Sequence, residues 1–280
     1  MTMGEPATVA AGDPYLSGGI VDLSGLTTVI AELKDHVLTI TLDRPDRLNS
    51  FTNTMRREFF DLWAYAREEA DVHVIVLRAN GERAFSTGAD VKEGTFLSEN
   101  VFSRRDPGID LSPKHNGCWK PLICAVHGMA AGGALYWLNE ADIIIASEDA
   151  QFFDPHVSYG MVAALEPIGL AHRIPIGEVL RMVLLGLDER MSAKRALEIG
   201  FISEIVTRAE LWPRAQELAE RIAAKPAAAI QGSVRAIWES KNTGRTAALA
   251  TGMYYTDIGN PLGRAEVVRS EVATREYQVR

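Results

Sequence analysis

The chain has 280 residues, 47% of them hydrophobic and 24% charged, with a formal net charge of −8. That much apolar chain can bury a full core in one large domain or two small ones. The acidic balance disfavours nucleic acid or an anionic membrane as the main partner, while an anionic small molecule stays open because a few cations and helix ends act locally.

Residues 1–20 are rich in Gly, Pro and Ala and lack a basic start followed by an apolar stretch, so they read as a loose arm and not as a leader or anchor. No run approaches the roughly 20 apolar residues of a membrane span. Two cysteines, Cys118 and Cys124, point to a reducing cytoplasm and away from a disulfide framework or a zinc site.

Residues 27–33 and 37–42 are β-branched or aliphatic runs joined by Lys34, Asp35 and His36, the pattern of a hairpin. After Arg44 and Pro45 end the strand, Asn53 or Thr54 is placed to cap a helix. Met55, Phe59, Leu62, Trp63 and Ala66 recur at spacings of three and four, so that helix buries one face. Residues 72–77 form a continuous apolar strand, and Asn80 and Gly81 turn the chain into a strand-like piece that ends in the glycine turn STGAD. Residues 93–119 have no periodicity and read as a long loop, which in a compact domain is often functional.

At 124–134 the sequence CAVHGMAAGGA runs from a buried strand straight into glycine and then into the helix-like LYWLNEADIII. A helix starting at Gly133 would leave its first amides without internal partners and point its positive end outward. Such a junction either receives an anion or a developing oxyanion, or is a tight packing turn. Beyond it come a buried strand at 143–146, the segment FFDPHVSYG, and helix-like segments from Met161 and over 178–185. Ser192 caps SAKRALEIG, Gly200 ends it, a short strand covers 201–206, and the remainder is helical with a break at Pro226. The order is α/β with a helical extension. No GxSxG occurs, which disfavours an α/β-type nucleophilic hydrolase, and GMAAGG lacks the GxGxxG spacing of a dinucleotide enzyme.

ITLDRPDRLNSF at 40–51, AFSTGADVKE at 84–93, KPLICAVHGMAAGGA at 120–134, ADIIIASEDAQF at 141–152, the FFDP segment and SAKRALEIGFISEIV at 192–206 together resemble the crotonase, or enoyl-CoA hydratase and isomerase, superfamily. The resemblance implies a spiral of ββα turns over residues 21–206 and a helical trimerisation region over 207–280, assembling as a homotrimer or a dimer of trimers. It implies an acyl-CoA thioester as substrate, coenzyme A as the carrier part of that substrate, and neither metal nor separate cofactor. By motif position the backbone N–H groups of Ala89 and Gly133 hold the thioester oxygen as an enolate forms. Arg47, Leu48, Ser86, Thr87, Ala89 and Lys92 match the segments that hold coenzyme A, and Asp90 braces the turn.

The chain departs from that pattern at the chemistry. The two glutamates of a hydratase of this family would fall at positions 136 and 156, where this chain has Tyr136 and His156. A side chain three residues into a helix leans back over its first turn, so Tyr136 belongs near the oxyanion donors. His156 is suited to act as base or acid near neutrality, and Asp154 could orient it. Glu166, in ALEPIG where the family commonly has glycine, sits among apolar residues that could raise its pKa. For each of these the plain alternative is a packing, capping or hydrogen-bonding role, and His127 reads as structural. The C-terminal YYTDIGNPLGRAEVVRSEV also differs from the basic, aromatic pattern of many relatives. Enolate chemistry (hydration, double-bond migration, decarboxylation or hydrolysis) and non-catalytic acyl-CoA binding both remain open on these residues.

Overall fold

A computed structural model describes residues 23–93, 100–272 and 277–279. The proposed N-terminal arm thus lies outside the described residues.

Strands β1 (Val29–Lys34) and β2 (Val37–Leu42) form the expected hairpin. Asp35 and His36 turn it with φ of 49° and 65°, the double left-handed turn that matches strand twist. Helix α1 (Asn53–Glu68) buries Met55, Phe59, Leu62, Trp63 and Ala66, the face that the spacing predicts. Its cap is neither Asn53 nor Thr54 but Thr52, whose hydroxyl accepts from Met55 N–H at 3.1 Å. The next strand, β3, covers Val74–Ala79, two residues later than its apolar run suggests.

From β3 on, the chain winds between two sheets. β3 lies in the first sheet and β4 (Ala84–Ser86) in the second; β5 (Leu122–Val126) returns to the first, and β6 (Met129–Ala131) goes to the second. After helix α2 (Leu135–Glu140), β7 (Ile143–Ser147) and β8 (Gln151–Phe153) repeat the pattern. Helices α3 (Leu165–Ala171) and α4 (Ile176–Leu185) follow, then β9 (Met191–Ser192), α5 (Ala193–Glu198) and β10 (Glu204–Val206). The sheets run β1-β2-β3-β5-β7-β10 and β4-β6-β8-β9, parallel except for the β1–β2 and β8–β9 pairs. This is the crotonase-like spiral of ββα turns.

Of the second sheet only β4 shows as a strand-like piece in the sequence; the others escape because strands of two or three residues are too short to show a period of two. Gly128 makes one corner between the sheets: at φ 55°, a Cβ there would lie 2.3 Å from the Arg83 carbonyl oxygen.

The first sheet is buried on both faces, which is why β3 and β5 read as unbroken apolar runs. Ile75, Leu77 and Cys124 face the main core with α1 and α2, while Val74, Val76 and Ile123 face helix α6 (Leu211–Ala223) through Leu211, Ala215 and Ala219. Helices α7 (Ala227–Glu239) and α8 (Arg245–Ala265) pack on each other, and α7 has no buried residue. Leu249, Met253, Ile258 and Leu262 of α8 are exposed.

Between β4 and β5, the described residues 100–119 are mostly loop, as the sequence suggests. Short 3-10 turns form at Val101–Ser103 and Ile109–Leu111, and buried Asp110 pairs with Arg56 of α1 at 2.8 Å.

Candidate active site

The two glycine turns meet. In STGAD, Gly88 has φ 84°, and a Cβ there would stand 2.7 Å from Gly133 N and 3.0 Å from the Ala131 carbonyl oxygen. Conversely, a Cβ on Gly133 would lie 3.3 Å from Gly88 Cα and 2.4 Å from the Phe51 ring. Only glycine at both places lets the two backbones approach this closely.

Ala89 is paired with Phe51 as one parallel bridge, in which Phe51 N–H donates to the Gly88 carbonyl at 2.8 Å and Asp90 N–H to the Phe51 carbonyl at 2.9 Å. In such a bridge the flanking groups make the hydrogen bonds, so Ala89's own N–H points away from Phe51. Gly133 lies in the 3-10 turn Gly132–Ala134 that precedes α2, so the expected helix start is a tighter turn and α2 proper begins at Leu135. Amides of an opening turn have no internal acceptor.

The RPDRLN segment is laced to the same turn. Leu48 and Asn49 are both left-handed, at φ 51° and 52°. Asn49 is fully buried; its amide donates to the Asn80 and Ala84 carbonyls, and its oxygen accepts from Arg44 N–H. Thr87 N–H donates to the Leu48 carbonyl at 3.1 Å, and Ser86 hydroxyl to the Asn49 carbonyl at 2.8 Å. Asp90 accepts from Arg44 at 3.0 Å and from Lys92 N–H at 3.2 Å. Burial would raise its carboxyl, but those hydrogen bonds and the Arg44 and Arg47 charges hold it below the usual range. Arg47 and Lys92 are exposed beside this turn. The six residues matched to coenzyme A binding therefore line one strip of backbone.

Opposite Gly132 stands His156. A Cβ on Gly132 would be 3.6 Å from His156 Cε1 and 3.5 Å from Pro155 Cδ. His156 Nδ1 lies 2.7 Å from Asp154 Oδ1, and its backbone N–H donates to the same oxygen at 2.9 Å. Asp154 is fully buried at the end of β8. Its hydrogen bond raises the His156 pKa, against the lowering effect of burial and with help from the Asp154 and Glu166 charges. The other imidazole nitrogen, Nε2, is 3.9 Å from Glu166 Oε1. Glu166 sits in the first turn of α3, and burial pushes its carboxyl pKa up. Asn139 of α2 donates to the Glu166 carbonyl at 2.8 Å and packs so closely on Gly169 that a Cβ there would be 2.4 Å from its amide. Asp154, His156 and Glu166 thus form one chain of titratable groups.

Tyr136 of α2 is buried beside Glu166, and burial followed by the Glu166 charge raises its phenol pKa. It also lines a cavity of about 270 Å³ with Asp106, Trp119, Asn139, Leu165 and Trp238. Asp106 and Gly108, which touch Tyr136, are missed by the sequence reading; the Asp-Pro-Gly turn signal at 106–108 marks the segment but not its target. His127 is fully buried, and burial followed by the Arg208 charge pushes its pKa down to about 4, as suits a structural histidine. Among the described residues, no group of three or more His, Cys, Asp or Glu is placed to hold a metal ion. No helix of the described residues is long and apolar enough to cross a membrane.

Residues 32–256 match the family model described as enoyl-CoA hydratase/isomerase. The chain belongs to the enoyl-CoA hydratase/isomerase family. It is, accordingly, an acyl-CoA-processing enzyme of that family. It is 34% identical over 233 residues to (E)-benzylidenesuccinyl-CoA hydratase of Thauera aromatica, covering 82% of this chain and 88% of that protein. It is 29% identical over 215 residues to the short-chain-enoyl-CoA hydratase of Clostridium acetobutylicum, covering 76% and 81%. Among solved structures, an enoyl-CoA hydratase/isomerase from Mycobacterium paratuberculosis superposes with a TM-score of 0.81 at 34% identity, covering 91% of this chain and all of the other.

Proposed function

We propose that this enzyme adds water across the double bond of an α,β-unsaturated acyl-CoA, and removes it in reverse. The observation that carries this reading is His156, backed by Asp154 at 2.7 Å and facing Glu166 at 3.9 Å, beside the Gly132–Gly133 turn. The similarity to a benzylidenesuccinyl-CoA hydratase supports the reaction class.

In the proposed reaction, neutral His156 takes a proton from water through Nε2 while the oxygen bonds to Cβ. The Cβ=Cα electron pair moves into the thioester as an enolate, whose oxygen is held by Ala89 and Gly133 N–H. Each such preorganised donor typically contributes roughly 3 to 4 kcal/mol. Glu166, whose carboxyl pKa burial pushes up, gives a proton to Cα as the enolate collapses. The proton on His156 then returns to Glu166 by a short side-chain motion. Water is consumed, and the enzyme ends as it began. On this reading, Tyr136 and His156 occupy the places of a hydratase's two glutamates, and the acid–base work has moved to the His156–Glu166 pair.

Coenzyme A, the carrier part of the substrate, is proposed to lie along Arg47, Leu48, Ser86, Thr87, Ala89 and Lys92, with the two exposed cations serving its phosphates. No separate cofactor is needed for this step. The exposed apolar residues of α8 are proposed to pack between copies in a homotrimer or a dimer of trimers; light scattering coupled to gel filtration measures that state, and a monomer would refute it.

The decisive experiment offers crotonyl-CoA and aryl-substituted enoyl-CoAs and follows products by mass. Gain of one water, lost in His156→Ala and Glu166→Gln, supports the reading. Products isomeric with substrate, or unchanged turnover in both variants, would refute it.

A further inference from the structure

Tyr136 has one phenolic proton, and its acceptor decides what the oxygen offers a substrate. That acceptor is Asp106: Tyr136 hydroxyl donates to Oδ1 at 2.7 Å, and Gly108 N–H donates to the same oxygen at 2.8 Å. The segment that brings Asp106 there is tied down on both sides. Asp110 pairs with Arg56 of α1 at 2.8 Å and with Arg105, and Asn116 amide donates to the Ile109 and Ser112 carbonyls, each at 2.8 Å. Gly108 lies flat on the phenol, where a Cβ would come within 2.0 Å of Tyr136 Cε2. The ring's seat and the direction of its O–H are both fixed.

A hydroxyl that donates to a carboxylate is polarised by the anion, and its lone pairs are left for a donor on the other side. We infer that Asp106 is a positioning residue acting through Tyr136: it accepts the phenol's hydrogen bond, so that Tyr136 presents an acceptor oxygen to the water that adds to the acyl chain. This rests on the hydratase reading above. A water so held keeps one hydrogen on Tyr136 while the other faces His156. No proton leaves Tyr136, because burial and the Asp106 carboxylate at its hydroxyl push the phenol's pKa up. The carboxylate that position 136 lacks is thereby replaced by a phenol with a carboxylate behind it.

The test combines kinetics with a readout independent of turnover. In the full chain, Asp106→Ala and Tyr136→Phe should each lower kcat by about tenfold or more with KM within about twofold, and the double variant should be no worse than Tyr136→Phe alone. Asp106→Glu should recover most of the loss. 3-Fluorotyrosine incorporated at 136, its ¹⁹F resonance identified by its loss in Tyr136→Phe, should shift in Asp106→Ala and less in Asp106→Asn, which guards against a collapsed loop. An unmoved resonance would overturn the inference whatever the kinetics, and so would losses that multiply in the double variant. A wild type that hydrates no enoyl-CoA would refute the hydratase reading and the water-holding role together; a shifting resonance would then still establish the Tyr136–Asp106 bond, so the two failures are distinguishable.

Discussion

His156 and Asp154 are joined twice, once through imidazole Nδ1 and once through the backbone N–H, and both contacts fall on the same buried oxygen of Asp154. With one carboxylate oxygen fixing both ring and backbone, the histidine has a single orientation, and it turns Nε2 toward Glu166.

Asp154→Asn tests that arrangement by pH. Asp154 raises the His156 pKa, so its loss should move the acid limb of kcat/KM to lower pH and lower kcat by about 10²-fold or more, read from pH–rate profiles of both proteins. A group whose folded pKa is raised stabilises the fold fully below its unfolded value, about 6.5 for histidine, and loses that contribution as pH rises through the folded value. The stability gap between wild type and Asp154→Asn should therefore be widest at acid pH and narrow above neutrality. A gap that widens with rising pH would contradict the assignment.

Glu166→Gln should separate stability from activity. Burial raises this carboxyl, so its ionisation opposes folding: stability present below the unfolded carboxylate range is lost as pH rises through the folded value. At pH about 7, Glu166→Gln should melt above wild type, the two should converge near pH about 4, and turnover should be lost. Paired calorimetric melts at the two pH values decide it.

Gly88→Ala addresses the paired turns. The substitution meets a left-handed φ of 84° and puts a methyl 2.7 Å from Gly133 N. A cost of about 1–3 kcal/mol in stability is expected. Turnover should fall by about 10²–10³-fold, since the methyl crowds the Gly133 amide, one of the two proposed donors. Denaturant titration and initial rates measure both, and a wild-type rate would remove the oxyanion role.

Gly108→Ala should act through one neighbour. Its methyl overlaps the Tyr136 ring, so a loss of about 1–3 kcal/mol is expected from overpacking. In a Tyr136→Leu background the same change should cost much less, and equal costs in the two backgrounds would show that the loop yields instead.

Some of this is legible in the chain itself. The face of α1 is, because one amphipathic helix on one core leaves its period of about 3.6 in the sequence. The partners of His156 are half legible: Asp154 is two residues away, and Glu166 stands out as an acid among apolar residues. Asp106 is invisible, because it lies 30 residues before Tyr136 in a stretch without periodicity, and only folding seats it on the phenol. The N-cap is missed because Thr52, Asn53 and Thr54 are chemically alike, and only backbone angles show that Thr52 is the residue outside the helix.

Local chemistry therefore suffices for the strands of the first sheet, the glycine turns and the family, since each depends on neighbours along the chain. Which side chains face one another across the site is decided by the winding of one sheet over the other. That winding sets Gly88 against Gly133, Asp106 against Tyr136 and His156 against Glu166, through contacts between segments that carry no mutual signature until they pack.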